Sequence, residues 1–198
     1  MDTIVLASRN KHKIKELRET LAPLGIELKS TYDFPDLEEI EEDADTLEGN
    51  ALKKARYVHN KTGLPALSDD TGLEVDALNG RPGVYSARYA GENASYQDNV
   101  DKLLDELADI AMEQRGAQFR TVAAFVTNDE SYTYEGVCRG MILTEERGSG
   151  GFGYDPVFRP ADYKKTFAEL DPQIKNEISH RGKAIQKFYD WLENEKQR

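Results

Sequence analysis

The segment Ser68-Asp69-Asp70-Thr71-Gly72 constrains the fold of this chain more than any other. It follows the apolar run Leu64-Pro65-Ala66-Leu67 and leads into Leu73-Glu74-Val75. A strand that runs into two adjacent carboxylates and a Thr-Gly turn delivers acids to the mouth of a cleft rather than to a core. Adjacent residues on a strand face opposite ways, so burying both Asp69 and Asp70 in one core carries a large cost. On this segment alone two readings stay open. The acids are oxygen ligands for a divalent metal, or they close a turn through an Asx-type hydrogen bond.

The remaining pattern alternates strand and helix. Residues 3–7 read as a strand, followed by the loop Ser8-Arg9-Asn10-Lys11-His12. A helix then carries Ile14, Leu17, Leu21 and Leu24 on one stripe and stops at Gly25. Residues 26–29 read as a second strand and 35–44 as an acidic connection. Asp45 reads as an N-cap, with Glu48 completing a capping box, and the helix behind it aligns Leu47, Ala51, Ala55 and Val58 before Gly63. Residues 73–78 alternate and end at the tight-turn signal Asn79-Gly80. An amphipathic helix is expected over 97–109, with Val100, Leu103, Leu104 and Leu107 inward. Residues 119–127 and 132–143 read as an antiparallel pair joined through Asn128-Asp129-Glu130. Near the end, Asp171-Pro172 reads as an N-cap with proline at the first helical position, and the last helix buries Ile185, Phe188 and Leu192. No repeat or linker divides the chain. The expectation is a single α/β domain, residues 1–198, built on a mixed β-sheet.

Composition narrows the function. With one cysteine, Cys138, no internal disulfide forms, and a reducing compartment is expected. Cys138 sits in a strand-like alternation with no histidine near it in sequence, so a structural role is expected rather than a nucleophilic one. Residues 3–7 start a strand too short for a signal peptide, and no apolar run approaches membrane-spanning length. A cytoplasmic protein without a membrane partner is expected. The net charge of −11 argues against broad nucleic-acid binding, which needs a basic footprint. It leaves room for one nucleotide, because basic residues converge locally and a metal screens the rest.

Four further segments carry chemistry. The first loop leaves a strand and enters a helix, with Ser8, Asn10, Lys11 and Lys13 at the junction. Helix N-termini present unpaired N–H groups that suit phosphate, although the glycines of a P-loop are missing. The loop Gly148-Ser149-Gly150-Gly151-Phe152-Gly153-Tyr154-Asp155-Pro156 concentrates glycine where backbone comes close to something, and its aromatics are placed to stack on a base. In Lys175-Asn176-Glu177-Ile178-Ser179-His180-Arg181-Gly182-Lys183, Ser179 caps the last helix. Cations then cluster at the helix N-terminus, where the dipole disfavours them, which points to an anionic or electron-rich ligand. Finally, the run Glu38, Glu39, Glu41, Glu42, Asp43 offers one or two carboxylates for a metal shared with Asp69-Asp70.

Taken together, these segments resemble the inosine/xanthosine triphosphate pyrophosphatase family over essentially the whole chain. The resemblance runs through Leu6-Ala7-Ser8-Arg9-Asn10-Lys11-His12-Lys13, Asn50-Ala51 with Lys54-Ala55, and Ser68-Asp69-Asp70-Thr71-Gly72-Leu73. It continues through Pro82-Gly83-Val84-Tyr85-Ser86-Ala87-Arg88-Tyr89, Gly150-Gly151-Phe152-Gly153-Tyr154-Asp155-Pro156 and Ile178-Ser179-His180-Arg181-Gly182. The family's first loop usually reads Thr-Gly-Asn, whereas here Arg9 stands at the glycine. A position that required positive φ would strain an arginine.

The resemblance implies an elongated mixed sheet flanked by helices, in two lobes with a central cleft, and a homodimer. It implies hydrolysis of non-standard purine nucleoside triphosphates (dITP, ITP, XTP) to monophosphate and pyrophosphate, with Mg²⁺ as cofactor. By the same token Asp70 is the catalytic acid residue and a metal ligand, with Glu41 or Glu42 as the second ligand. Asn10, Lys13 and Lys175 contact the triphosphate, with Ser8 and Thr71 nearby. Phe152 stacks on the base, and Asp155, His180 and Arg181 read its edge. The matched segments bring Arg9, Lys11, His12, Gly153 and Tyr154 into the substrate-binding set. Two rivals remain: a Maf-type nucleotide pyrophosphatase, whose opening also resembles Leu6-Ala7-Ser8-Arg9, and a nucleotide-sensing module without turnover. The Ser179-His180-Arg181 segment favours the first family.

Overall fold

A computed structural model describes residues 2–128 and 130–196. The elements run β1 (Thr3–Leu6), α1 (Lys11–Leu21), β2 (Glu27–Ser30), α2 (Leu47–Thr62), β3 (Ala66–Val75), β4 (Pro82–Gly83), α3 (Tyr96–Glu106), β5 (Gly116–Val126), β6 (Ser131–Ile142), β7 (Phe158–Pro160), α4 (Pro172–Ile178) and α5 (His180–Lys196). The strand order is β2-β1-β3-β5-β6-β7, with β4 paired to β3. β1 runs parallel to β2 and β3, whereas β4 pairs antiparallel with β3 and β7 with β6. The expected mixed-sheet α/β fold is therefore present.

The chain forms two compact units. One comprises Met1–Asp70, Thr121–Gly136 and Lys183–Arg198; the other comprises Thr71–Arg120 and Val137–Gly182. The chain first passes from one unit to the other inside β3, at the peptide bond from Asp70 to Thr71.

In the first unit both faces of β1 are covered, which is why its sequence is apolar throughout. Ile4 and Leu6 pack with Ile14, Leu17 and Leu21 of α1 and with Ala184, Ile185, Phe188 and Leu192 of α5. Val5 and Ala7 turn the other way, to Leu37 and to Val58 of α2. β3 inherits the same two faces. Leu67 joins the α1–α5 side and Ala66 the α2 side. The two-residue period of the strand then carries Asp69 to the α1 face and Ser68 and Asp70 to the α2 face.

The second unit has its own core. Leu73, Val75, Val100, Leu103, Phe119, Cys138, Phe158 and Phe167 are among its buried members. The Cys138 side chain is packed there, as a strand cysteine should be.

Several expectations shift by a residue or more. β3 runs unbroken through Ser68-Asp69-Asp70-Thr71-Gly72, where the sequence suggested a strand, a turn and a second strand. α2 is capped by Thr46, whose side chain accepts from Gly49 N–H, and not by Asp45. The Thr46 hydroxyl reaches the third helical residue, and Glu48 lies in the first turn, where it suits the helix dipole. α3 carries a capping box of Ser95 and Asp98 that the sequence reading passed over. The expected caps at Gly63 and Asp171 are present, whereas α1 ends at Leu21 with Ala22 as its cap, and Gly25 caps the short 3-10 turn Ala22–Leu24 that follows. Within the proposed connection Asn128-Asp129-Glu130, Asp129 lies outside the described residues.

Candidate active site

In the first unit the chemistry gathers around β3. Asp69 and Asp70 are only 2% and 6% exposed. Their burial succeeds because each faces a different helix with its own cation. Lys13 of α1 stands 3.0 Å from Asp69 Oδ2. Lys54 of α2 stands 3.4 Å from Asp70 Oδ1 and 2.5 Å from Glu42 Oε1, and it donates to the Asp69 carbonyl at 2.9 Å. The carboxylates are thus not at a turn in solvent.

α2 supplies a second partner one turn earlier. Asn50 Nδ2 donates to Asp70 Oδ2 at 3.2 Å, and Asn50 Oδ1 accepts from Ala44 N–H at 2.9 Å. Residues 50 and 54 share a helix face. Ser68 ties the same face down by donating to Ala51 C=O.

Burial pushes the Asp70 carboxyl above the ordinary carboxylate range; Lys54 pulls it down, Glu42 pushes it up further, and Lys13 and Asn50 pull it down. Burial works against the Lys54 ammonium, yet Asp70, Glu42 and Asp69 outweigh it and hold that group charged above its usual range. Asp70 is therefore a carboxyl that gains from another nearby cation, the situation of a group suited to a base or metal ligand.

The first loop behaves differently from the expectation at its helix junction. Asn10 is the N-cap of α1, and its own side chain accepts from the His12 and Lys13 N–H groups. Those donors are already satisfied, so a phosphate finds side chains there rather than bare amides. Ser8 Oγ accepts from Asn10 N–H. Arg9 does not adopt positive φ; it donates to Leu37 C=O at 2.8 Å. The substitution at the family's glycine is absorbed without strain. Lys11 and His12 are exposed on the first turn of α1, and Glu41 is exposed on the acidic connection. Of the two glutamates it is Glu42 that reaches Lys54 beside Asp70.

In the second unit the glycine-rich loop and the α4–α5 corner meet. Lys175 pairs with Asp155 Oδ2 at 2.7 Å, and the same oxygen accepts from Phe152 N–H at 2.8 Å. The Phe152 ring lies beneath two cations, with Lys175 Nζ 5.3 Å and Arg181 Cζ 5.5 Å from its centroid. Tyr96, at the start of α3, lies 6.1 Å from that ring. Arg181 Nη2 approaches Thr71 Oγ1 at 3.5 Å, the outer edge of hydrogen-bond range.

His180 is buried and stacked on Phe119, with centroids 4.5 Å apart. Ser179 caps α5 as expected, accepting from Gly182 N–H at 3.0 Å. Gly182 allows the corner: a Cβ there would collide with the Asn176 carbonyl oxygen. Gly153 takes positive φ in the loop. Tyr154 is packed in the core of this unit, with its hydroxyl donated to Ser86 C=O at 2.8 Å. Its ring is part of the scaffold, not of a stacking surface.

Sequence reading thus found most members of both clusters but missed the roles of Asn50 and Lys54. The signal was present: two polar residues one turn apart, beside the apolar stripe Leu47, Ala51, Ala55, Val58. Lys175 was expected on the triphosphate. Here a phosphate would have to compete with Asp155 for it.

Among the described residues, no three or more His, Cys, Asp or Glu side chains gather as a metal cage. Among the described residues no helix is long and apolar enough to cross a membrane.

Comparison with known proteins places these clusters in context. The Ham1 family model matches residues 4–191. A dITP/XTP pyrophosphatase of Geobacter sulfurreducens is 51% identical over 193 residues, which cover 97% of this chain and 97% of that protein. One from Desulforamulus reducens is 52% identical over 190 residues, covering 96% and 94%. The solved structure of a HAM1 protein from Coxiella burnetii superposes with a TM-score of 0.91 at 43% identity, covering 98% of this chain and all of the other.

Proposed function

The chain belongs to the Ham1 family, and on that premise we propose that it is a dITP/XTP pyrophosphatase, hydrolysing non-standard purine nucleoside triphosphates to the monophosphate and pyrophosphate. The observation that carries the reading is the pair of buried carboxylates on β3, each set against a lysine. Family membership sets aside the Maf-type alternative. The whole chain acts as one catalytic domain, and the protein is a cytoplasmic homodimer.

The cluster of the first unit suits the polyphosphate of a nucleotide. Lys13 and Lys54 are cations beside Asp69 and Asp70, suited to the polyphosphate and to the negative charge gathered by departing pyrophosphate. Asn10 and Ser8 hold the loop that carries Lys13. Asp70, raised by burial, orients the attacking water and accepts its proton. The carboxylates of Asp70 and Glu42, drawn around one ammonium, form the kind of hard oxygen set that fits Mg²⁺, an ion that completes its shell with water and substrate phosphate. When bound, Mg²⁺ screens the phosphates and lowers the pKa of water.

In the second unit Phe152 offers a face for a base. Arg181 donates only, so it favours the 6-oxo acceptor of hypoxanthine or xanthine over the 6-amino donor of adenine. A buried donor facing a donor costs about 1–3 kcal/mol, enough for a preference of one to two orders of magnitude. Lys175 and Asp155 hold the Phe152 loop and present polar atoms to the base edge.

The test is pyrophosphate release from dITP, XTP, ITP, GTP and ATP, each with and without Mg²⁺. Release from the 6-oxo non-standard nucleotides in Mg²⁺ supports the reading. Tight binding without release would replace it by the sensing module.

A further inference from the structure

We propose that Asn50 is a positioning residue, which orients the Asp70 carboxylate and clamps the acidic connection carrying Glu42 beside it. The inference rests on the reading of Asp70 as the group that handles water. Asn50 is fully buried, at 0% exposure. Its two amide atoms reach two different segments: Nδ2 donates to Asp70 Oδ2, and Oδ1 accepts from Ala44 N–H, two residues beyond Glu42. Lys54, four residues on, reaches the same two segments through Asp70 Oδ1 and Glu42 Oε1.

The contacts close a ring, from Asp70 through Asn50 to Ala44, along the chain to Glu42, and through Lys54 back to Asp70. The two carboxylate oxygens of Asp70 are thereby distinguished. Oδ2 is held by a neutral amide, and Oδ1 is turned to the side where Lys54 and Glu42 lie. Without the Asn50 amide, Lys54 alone among these contacts fixes the plane of the Asp70 carboxylate about its Cβ–Cγ bond. The amide performs both tasks at once, because its one side-chain plane donates at one atom and accepts at the other.

Two substitutions separate these tasks. Asn50→Asp keeps an acceptor for Ala44 N–H and sets a second carboxyl against Asp70, where the two either repel or share one proton, so the fixed neutral donor is lost in either case. Asn50→Leu keeps the branched shape, with somewhat more bulk, and removes both bonds. With dITP and Mg²⁺, Asn50→Asp is expected to lower kcat roughly 10- to 100-fold, the scale of one hydrogen bond to a charged group, with KM changed less than about threefold. Amide hydrogen exchange at Ala44 gives the readout independent of turnover: protection is retained in Asn50→Asp and lost in Asn50→Leu. Wild-type kcat in Asn50→Asp would overturn the proposal. So would loss of Ala44 protection in that variant, which would make the role structural. Asp70→Asn assayed alongside keeps the two ideas apart, since near-normal turnover in that variant would remove Asp70 itself whatever Asn50 does.

Discussion

Asp69 and Asp70 are consecutive on β3, both buried, and each is matched to a different lysine, Asp69 to Lys13 at 3.0 Å and Asp70 to Lys54 at 3.4 Å. The strand's alternation makes this arrangement possible. It points one carboxylate at α1 and the next at α2, so two like charges share a backbone without sharing an environment. A buried carboxylate is tolerable only when paired and hydrogen-bonded, and here α1 and α2 each bring the partner.

Turnover should depend on Asp70 as an ionised group and not on its volume. Asp70→Asn is expected to lose nearly all pyrophosphate release from dITP, while calorimetric titration still detects nucleotide binding. Wild-type-like rates would dismiss Asp70 from the chemistry.

Stability should respond to the same change in the opposite sense. The folded state raises the Asp70 pKa above its ordinary value of 3.8, chiefly by burial. Proton binding therefore favours the folded state. The stabilising contribution is complete below 3.8 and is lost as pH rises through the raised folded value. At neutral pH, without metal, the charged carboxylate is a net cost. The Asp70→Asn variant should then melt higher than wild type near pH 7.5 in EDTA, with the gap closing as pH falls to about 3.8. A gap that is constant across this range would contradict the assignment.

Base preference should reside in Arg181. Its guanidinium lies over Phe152 and near Thr71. Arg181→Ala is expected to reduce the ratio of kcat/KM for dITP over ATP by roughly tenfold, the value of one mismatched donor. The comparison needs both nucleotides assayed in parallel, and an unchanged ratio would locate base reading elsewhere.

Tyr154 should matter for stability more than for binding. Its hydroxyl donates to Ser86 C=O, and Ser86 in turn accepts from Leu73 N–H and donates to Gly83 C=O. Tyr154→Phe leaves a buried carbonyl short of a donor, which costs roughly 1–3 kcal/mol in urea denaturation. KM for dITP should stay near wild type, and a large rise in KM with unchanged stability would return Tyr154 to the binding surface.

The glycine loop shows how far sequence reading reaches. Phe152 and Tyr154 are equivalent in composition and spacing, yet one lies beneath two cations and the other is packed in a core. Residue type does not separate them; the backbone turn at Gly153, at positive φ, sends the two rings to different surroundings. The same limit explains β3. After Leu67 the pattern changes from apolar to charged, which locally reads as a strand's end. The strand continues because Lys13, Lys54 and Asn50, from segments distant in the chain, neutralise what it carries.

What the residues determine by themselves are the periodic and capped features: the apolar faces of α1, α2, α3 and α5, the stop at Gly63, the Asp171-Pro172 start, and the acids and cations available for chemistry. Those follow from short-range rules of repeat and backbone preference. Tertiary structure alone decided which lysine meets which aspartate, that Glu42 rather than Glu41 comes to Lys54, and that Asn50 joins Asp70 to Ala44. These are long-range contacts, and their outcome depends on how β3 is threaded between α1 and α2, a relation that no window of neighbouring residues contains.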